Sequence, residues 1–272
     1  MTTDRTITLN TGARMPLVGL GVYQLFDPDL IAAALQAGYR SLDTAAAYGN
    51  EEVVAEGIQR SGLPRQEIFL TTKLNNPVQR SGGSVEAAFR ESLDRLGTDY
   101  VDLYLMHWPV PERFAQSWRE MVAIYRGGRA RAIGVSNFNI RHLREIADSG
   151  VVPAVNQIEC HPHLSQKELV AYCQARGIAV EAWSPLGRLK NGLTEEPVIL
   201  DIAQKYGKTP VQVILRWDLE CGLVTIPKTS RLERARENLD IFDFRLSPAD
   251  VAALDSLNRD ERTGADPENF NF

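Results

Sequence analysis

The sequence predicts a (β/α)8 barrel, the TIM-barrel class, formed as a single domain over residues 1–272, with a β-hairpin before the barrel and extra helices after it. Three observations lead there. Short apolar strands recur near residues 18, 41, 68, 102, 132, 154, 179 and 223, eight in all, each followed by a helical pattern. The length of 272 residues suits one such barrel, for which about 250 is usual. The competing open sheet expects a glycine-rich first turn, and VGLGVYQ has Gly19 and Gly21 but Gln24 where GxGxxG needs its third glycine.

Taken in order, residues 6–17 alternate apolar and polar around Asn10, Thr11 and Gly12, which reads as a hairpin capping one end of the fold. Asp27-Pro28 opens a helix that Gly38 stops, and SLDT follows as a strand. Asn50 is expected to cap a helix from about Glu51 to Ser61, which leads to IFLTTKL ending at Lys73. Val85, Phe89, Leu93 and Leu96 share one helix face, closed by Gly97, before the strand VDLYLMHW ending at His107 and Trp108. Helices over 114–126 and 140–148 precede AIGVSNF and AVNQIE. A capping box of Ser165 and Glu168 opens the helix before AVEAWSP, and Thr209-Pro210 with Gln212 opens the one before LVTIPK. Ser247-Pro248 starts a last helix, followed by a polar tail.

The composition bounds the function. Charged residues make up 24% of the chain with a net charge of −5, which argues against a nucleic-acid partner. Three cysteines with no CxxC spacing suit a reduced protein. The start MTTDRTITLNTG lacks the pattern of a secretory signal, and no apolar run has the roughly 18 residues that a membrane span needs. The expectation is a soluble cytoplasmic protein.

In a barrel of this class the active site lies at the C-terminal ends of the strands. Strand two ends at Asp43 with Tyr48 just beyond, strand three at Lys73 and strand four at His107. Singly, each has an ordinary structural explanation. Together they have a mechanism, because an ammonium within about 4 to 6 Å of a phenol favours phenolate, and a carboxylate keeps a buried ammonium charged. His107 is placed either to orient a carbonyl oxygen through a hydrogen bond or to share the proton. Such an arrangement suits proton donation to an oxygen that grows negative, as when hydride attacks an aldehyde or ketone.

The segments LDTAAAYGNE, TTKL, HWP, GVSNF, NQIECHP, AWSPLG, IPKTS and LNRDERTG run almost end to end through the chain, and as a set they are highly specific. The sequence resembles the aldo-keto reductase family, in particular its bacterial 2,5-diketo-D-gluconate reductase-like branch. The resemblance implies NAD(P)H-dependent carbonyl reduction, with Tyr48 the proton donor, Lys73 and Asp43 its partners and His107 the substrate-orienting group. It also implies that Ser136, Asn137 and Gln157 hold the nicotinamide carboxamide and that Trp183 stacks on the ring, where many relatives have tyrosine. Gly21 and Val22 belong to the same cofactor surface, Val22 standing where many relatives have threonine. Ser184, Pro185, Leu186 and Gly187 are expected along the pyrophosphate.

Residues 228–236 hold four basic residues against one acid in a chain that is acidic overall. A capping box of Ser230 and Glu233 would begin a helix there, its free amides beside Lys228, Thr229, Arg231 and Arg234, which makes a site for a dianion. By the resemblance that dianion is the 2′-phosphate of NADPH, with Glu237 and Asn238 near the adenine. Tyr23, Trp108, Phe270 and Phe272, with Tyr48 and His107, should wall a pocket for a small carbonyl substrate. Cys160, His161 and His163 are close-set, but no second ligand pair stands at a recognisable spacing, so no metal is expected. Family habit implies a monomer. Two rival readings are an aldolase using Lys73 as a Schiff base and an NADPH-binding regulatory protein of low turnover.

Overall fold

A computed structural model describes residues 5–190 and 192–272. A hairpin of β1 (Thr6–Thr8) and β2 (Arg14–Pro16) precedes β3 (Leu20–Gly21). There follow α1 (Pro28–Gln36), β4 (Ser41–Asp43), α2 (Glu51–Ser61), β5 (Phe69–Leu74), α3 (Asn76–Ser81), α4 (Val85–Leu96) and β6 (Leu103–Met106). The chain continues through α5 (Phe114–Arg126), β7 (Ile133–Ser136), α6 (Ile140–Glu145), β8 (Val155–Glu159), α7 (Lys167–Gln174) and β9 (Ala179–Trp183). It ends with α8 (Pro197–Tyr206), α9 (Pro210–Glu220), β10 (Val224–Thr225), α10 (Leu232–Leu239) and α11 (Pro248–Asp255).

Strands β3 to β10 pair in sequence order, all parallel, in one eight-stranded sheet. The ends of that sheet meet: Val18 bridges Thr225, and the amides of Gly19 and Gly21 donate to the carbonyls of Thr225 and Pro227. At Gly21 a Cβ would stand 2.9 Å from the Ile226 carbonyl oxygen, so only glycine lets this seam close. The same constraint acts inside the wall at Gly134 of β7, where a Cβ would lie 2.5 Å from the Val155 carbonyl oxygen and 2.8 Å from Leu105 Cδ2.

Strand periodicity of two sorts the side chains. Outward residues such as Leu42, Leu70, Tyr104 and Val180 join the large core between sheet and helices. Into it α4 turns Val85, Phe89, Leu93 and Leu96, and burial of each contributes about 1.5 to 3 kcal/mol. Inward residues form a second core of Phe69, Leu103, Leu105, Val155 and Val224, to which the hairpin adds Leu9 and Met15. That apolar plug fills the bottom of the barrel. Farther up β4, β5, β8 and β9 the inward positions become polar: Asp43, Thr71 and Lys73, Gln157, Glu159 and Glu181 are all buried. The lumen therefore runs from hydrocarbon at the hairpin end to ionisable groups at the other.

Helix starts follow the sequence where proline comes directly after the cap. Asp27 accepts from the amides of Asp29 and Leu30, and Thr209 with Gln212 and Ser247 with Asp250 form capping boxes. Three expected caps are not formed. Asn50 turns its side chain inward, donating to the carbonyls of Val22 and Leu25 and accepting from Thr44, so it ties two loops together instead of capping α2. α7 begins at Lys167 after Gln166 in a left-handed conformation, so Ser165 does not cap it. α10 begins at Leu232 with no side-chain cap, so the Ser230–Glu233 box is not made. The helix expected over 140–148 is α6 followed by a separate turn at Ala147–Ser149. α3 and α8 carry no sequence expectation of their own.

Candidate active site

Lys73 Nζ lies in the top of the lumen, fully buried, 2.5 Å from Asp43 Oδ1, 2.9 Å from the Thr44 carbonyl oxygen and 3.4 Å from Tyr48 Oη. Its three N–H bonds are all engaged. Burial, the largest influence, lowers its pKa, but Asp43, Tyr48 and Glu181 together outweigh it and leave the pKa raised. The ammonium is thus held charged.

Tyr48 comes from a 3-10 turn, Ala46–Tyr48, that follows β4. Its ring centroid is 4.9 Å from that of Tyr23 and 5.6 Å from that of His107, the latter edge-on at 76°. Burial pushes the phenol above its ordinary value and Asp43 adds to this, against the downward pull of Lys73. The lysine thus acts in the direction the sequence suggests, but desolvation wins, and the phenol keeps its proton at neutral pH. His107 is driven down to about 3 by burial and by the Lys73 charge, so its imidazole is neutral under the same conditions.

The groups expected to surround a nicotinamide are interlocked with this cluster. Asn137, at a positive φ of 64°, accepts from the indole N–H of Trp183 at 2.8 Å and donates to the His107 carbonyl at 3.0 Å. Ser136 donates to the Gln157 carbonyl at 2.9 Å. Gln157 Nε2 reaches Asp43 Oδ2 at 2.7 Å and Glu181 Oε2 at 2.6 Å. Both contacts go to carboxyl oxygens, which fixes the amide orientation. Val22 is fully buried, and its carbonyl accepts from Asn50.

Beyond Trp183, Ser184, Pro185, Leu186 and Gly187 form a turn closed by the Gly187 amide on the Ser184 carbonyl, and the Arg188 guanidinium lies 5.6 Å above the Trp183 ring. Lys228, Ser230, Arg231 and Arg234 are exposed around the uncapped start of α10, and Thr229 is buried, its hydroxyl accepting from the Arg231 amide. Glu237 accepts from the Thr209 hydroxyl, and Asn238 is buried. Trp108 meets Phe270 and Phe272 at centroid distances of 5.0 and 5.1 Å, so the tail does reach the side of the mouth where His107 stands.

Two buried acids of the upper lumen carry no sequence expectation. Glu159 accepts from the Thr263 and Gly264 amides and the Thr263 hydroxyl, clasping the tail across the rim, where a Cβ on Gly264 would fall 2.3 Å from the Trp183 indole. Glu181 lies opposite Gln157 in the β8–β9 register, fully buried. The signal for both was available: each is an acid at an inward position, Glu159 two residues after Gln157 and Glu181 two before Trp183. Among the described residues no group of three or more His, Cys, Asp or Glu side chains is arranged to hold a metal ion.

A sequence model of the Aldo/keto reductase family matches residues 27–259. The chain belongs to the aldo/keto reductase family. This reductase is 47% identical to the glyoxal reductase of Bacillus subtilis, over 98% of each chain. It is 44% identical to the methylglyoxal reductase DkgA of Salmonella typhimurium, over 97% of each. The crystal structure of a Bombyx mori aldo-keto reductase in complex with NADP superposes on the reductase with a TM-score of 0.89 at 37% identity, covering 97% of this chain and 96% of that one.

Proposed function

We propose that this reductase converts an aldehyde or ketone to the alcohol with NADPH as reductant and Tyr48 as proton donor. The observation that carries the reading is the array of buried Asp43 and Lys73 with half-buried Tyr48, beside His107. The residues also fit the cofactor: α10 opens with its first amides uncapped among exposed Lys228, Arg231 and Arg234, a setting that favours a dianion. When bound, the nicotinamide supplies a hydride to the carbonyl carbon. His107, neutral at working pH, offers an N–H to the carbonyl oxygen and orients it. Tyr48 gives its proton to that oxygen as negative charge builds, and Lys73 stabilises the phenolate left behind. Asp43 keeps Lys73 charged throughout. Tyr23, Trp108, Phe270 and Phe272 supply apolar walls that exclude water from the exchange.

Small dicarbonyls are the first substrates to test, since two relatives are named for glyoxal and methylglyoxal. With methylglyoxal, Tyr48→Phe should slow NADPH consumption by about 10² to 10⁴ while NADPH binding, read by quenching of tryptophan fluorescence, stays as in the wild type. Unaltered turnover would remove Tyr48 from the role. A Schiff-base aldolase is disfavoured, because Lys73 has every N–H engaged and a raised pKa, whereas such a nucleophile must be free and neutral. A cytoplasmic monomer belongs to the same reading, supported by three unpaired cysteines; light scattering after size exclusion tests the monomer.

A further inference from the structure

Lys73 is the cation beneath Tyr48, and of the three carboxyl groups in the upper lumen two, Asp43 and Glu181, act on it. Asp43 takes the ion pair at 2.5 Å. Glu181 receives one neutral donor, Gln157 Nε2 at 2.6 Å, and its other oxygen is buried with no hydrogen-bond partner. An ionised carboxylate so placed is heavily penalised, whereas a carboxylic acid is not. The same Gln157 nitrogen holds Asp43, so the two acids, on strands β4 and β9, are linked across the barrel through one amide. The other charged or titratable groups around Glu181 are few. β5 supplies Lys73, β6 ends at neutral His107, β8 supplies Glu159, which is satisfied by the tail, and β10 supplies only Val224 and Thr225.

We propose that Glu181 is a positioning residue whose neutral carboxyl, joined to Asp43 through Gln157, keeps one anion against one cation beneath Tyr48 and so keeps the phenol a competent acid. The proposal rests on the carbonyl-reductase reading. Burial, then Asp43, push the Glu181 carboxyl up to about 8, against the downward pull of Gln157 and Lys73. Above that pH the proton is lost to bulk water, and a second carboxylate then faces Lys73, offsetting the cation's pull on the phenol and making phenolate harder to form. Reduction therefore loses rate on the alkaline side for a reason that lies below the reacting groups.

The test is the pH profile of kcat/KM for methylglyoxal, compared between the wild type and Glu181→Gln, which has the same shape and cannot ionise. The alkaline limb should move upward by about one pH unit in Glu181→Gln, and Glu181→Asp should restore a titrating limb. Superimposable limbs in wild type and Glu181→Gln would overturn the proposal. A second readout needs no turnover. In the infrared difference between wild type and Glu181→Gln, which cancels the buried Asp218 carboxyl that burial also pushes up, the carbonyl band of protonated Glu181 should be present at pH 7 and vanish on titration to about pH 9; its absence at pH 7 overturns the proposal. Wild-type protein that shows this band but reduces no carbonyl at any pH would instead overturn the reductase reading.

Discussion

Lys73 touches an acid, a backbone carbonyl and a phenol at once, and the contrast between it and the cations at Lys228 and Arg234 shows what burial does to a charge. The first is locked among partners, while the second pair stands in solvent at the start of α10. Charge-assisted contacts to a phosphate contribute about 1.5 to 3 kcal/mol, reduced by exposure. Lys228→Ala or Arg234→Ala should therefore raise the KM for NADPH about tenfold and leave that for NADH nearly unmoved; equal effects on both would reject the phosphate assignment. His107 has a consequence for stability. Its folded pKa of about 3 lies below its ordinary value of 6.5, so between those values the folded chain binds fewer protons than the unfolded one. Stability from this group is present above about pH 6.5 and is lost as the pH falls toward 3, at up to about 1.4 kcal/mol per unit. His107→Gln should narrow the difference in Tm between pH 7 and pH 4, which calorimetry would measure. Asp43, Tyr48, Lys73 and His107 were legible in the sequence because each stands at or just beyond the end of an apolar strand. The inward position of Glu181 was legible too, but its link to Asp43 was not, because Gln157 and Asp43 lie 24 and 138 residues away in the chain and only barrel closure brings them together.

Among the elements, the caps expected from the sequence divide by whether a proline stands next to the capping residue, although Ser84 caps α4 without one. Asp27, Thr209 and Ser247 each precede a proline whose fixed φ sets the first turn, and all three cap. Ser165 and Ser230 have the right residue three positions on but no proline, and neither caps. Spacing alone was therefore misleading where other contacts compete: Gln166 donates instead to the Glu159 carbonyl, and Thr229 takes the Arg231 amide. Thr209→Ala should cost about 1 kcal/mol in urea unfolding, with Ser230→Ala within a few tenths of zero. Strands were the most legible elements, since eight short apolar stretches, each followed by a helix, admit few other arrangements. Asn50 was misread because its true partners, Val22 and Leu25, lie on the preceding loop, which no local pattern reveals.

At the scale of the whole molecule the barrel is polarised, hydrocarbon at the hairpin end and ionisable groups at the mouth, and the tail is drawn over that mouth by one buried acid. Burial raises the Glu159 pKa, but His161, Thr263 and the Thr263 and Gly264 amides together lower it more. The stability it contributes is thus present above its ordinary carboxylate pKa and is lost as the pH falls through the lower folded value. Glu159→Gln should loosen the tail at neutral pH, seen as faster hydrogen exchange at Thr263 and Gly264 with little change in the barrel strands; unchanged exchange would show that the other tail contacts, the Glu268 bonds to Asn139 and Arg141 and the aromatic contacts at Trp108, suffice to hold it.

Gly134 belongs to the wall between the plug and the mouth, where the neighbouring strand leaves no place for even one extra carbon. A methyl group added there must part β7 from β8, and the next inward rung on those strands carries Ser136 and Gln157. The injury would then register above the point of insertion, as a mistuned ladder of donors and acids reaching Asp43, so a substitution at a residue with no chemistry of its own would be read out as a fault in the chemistry.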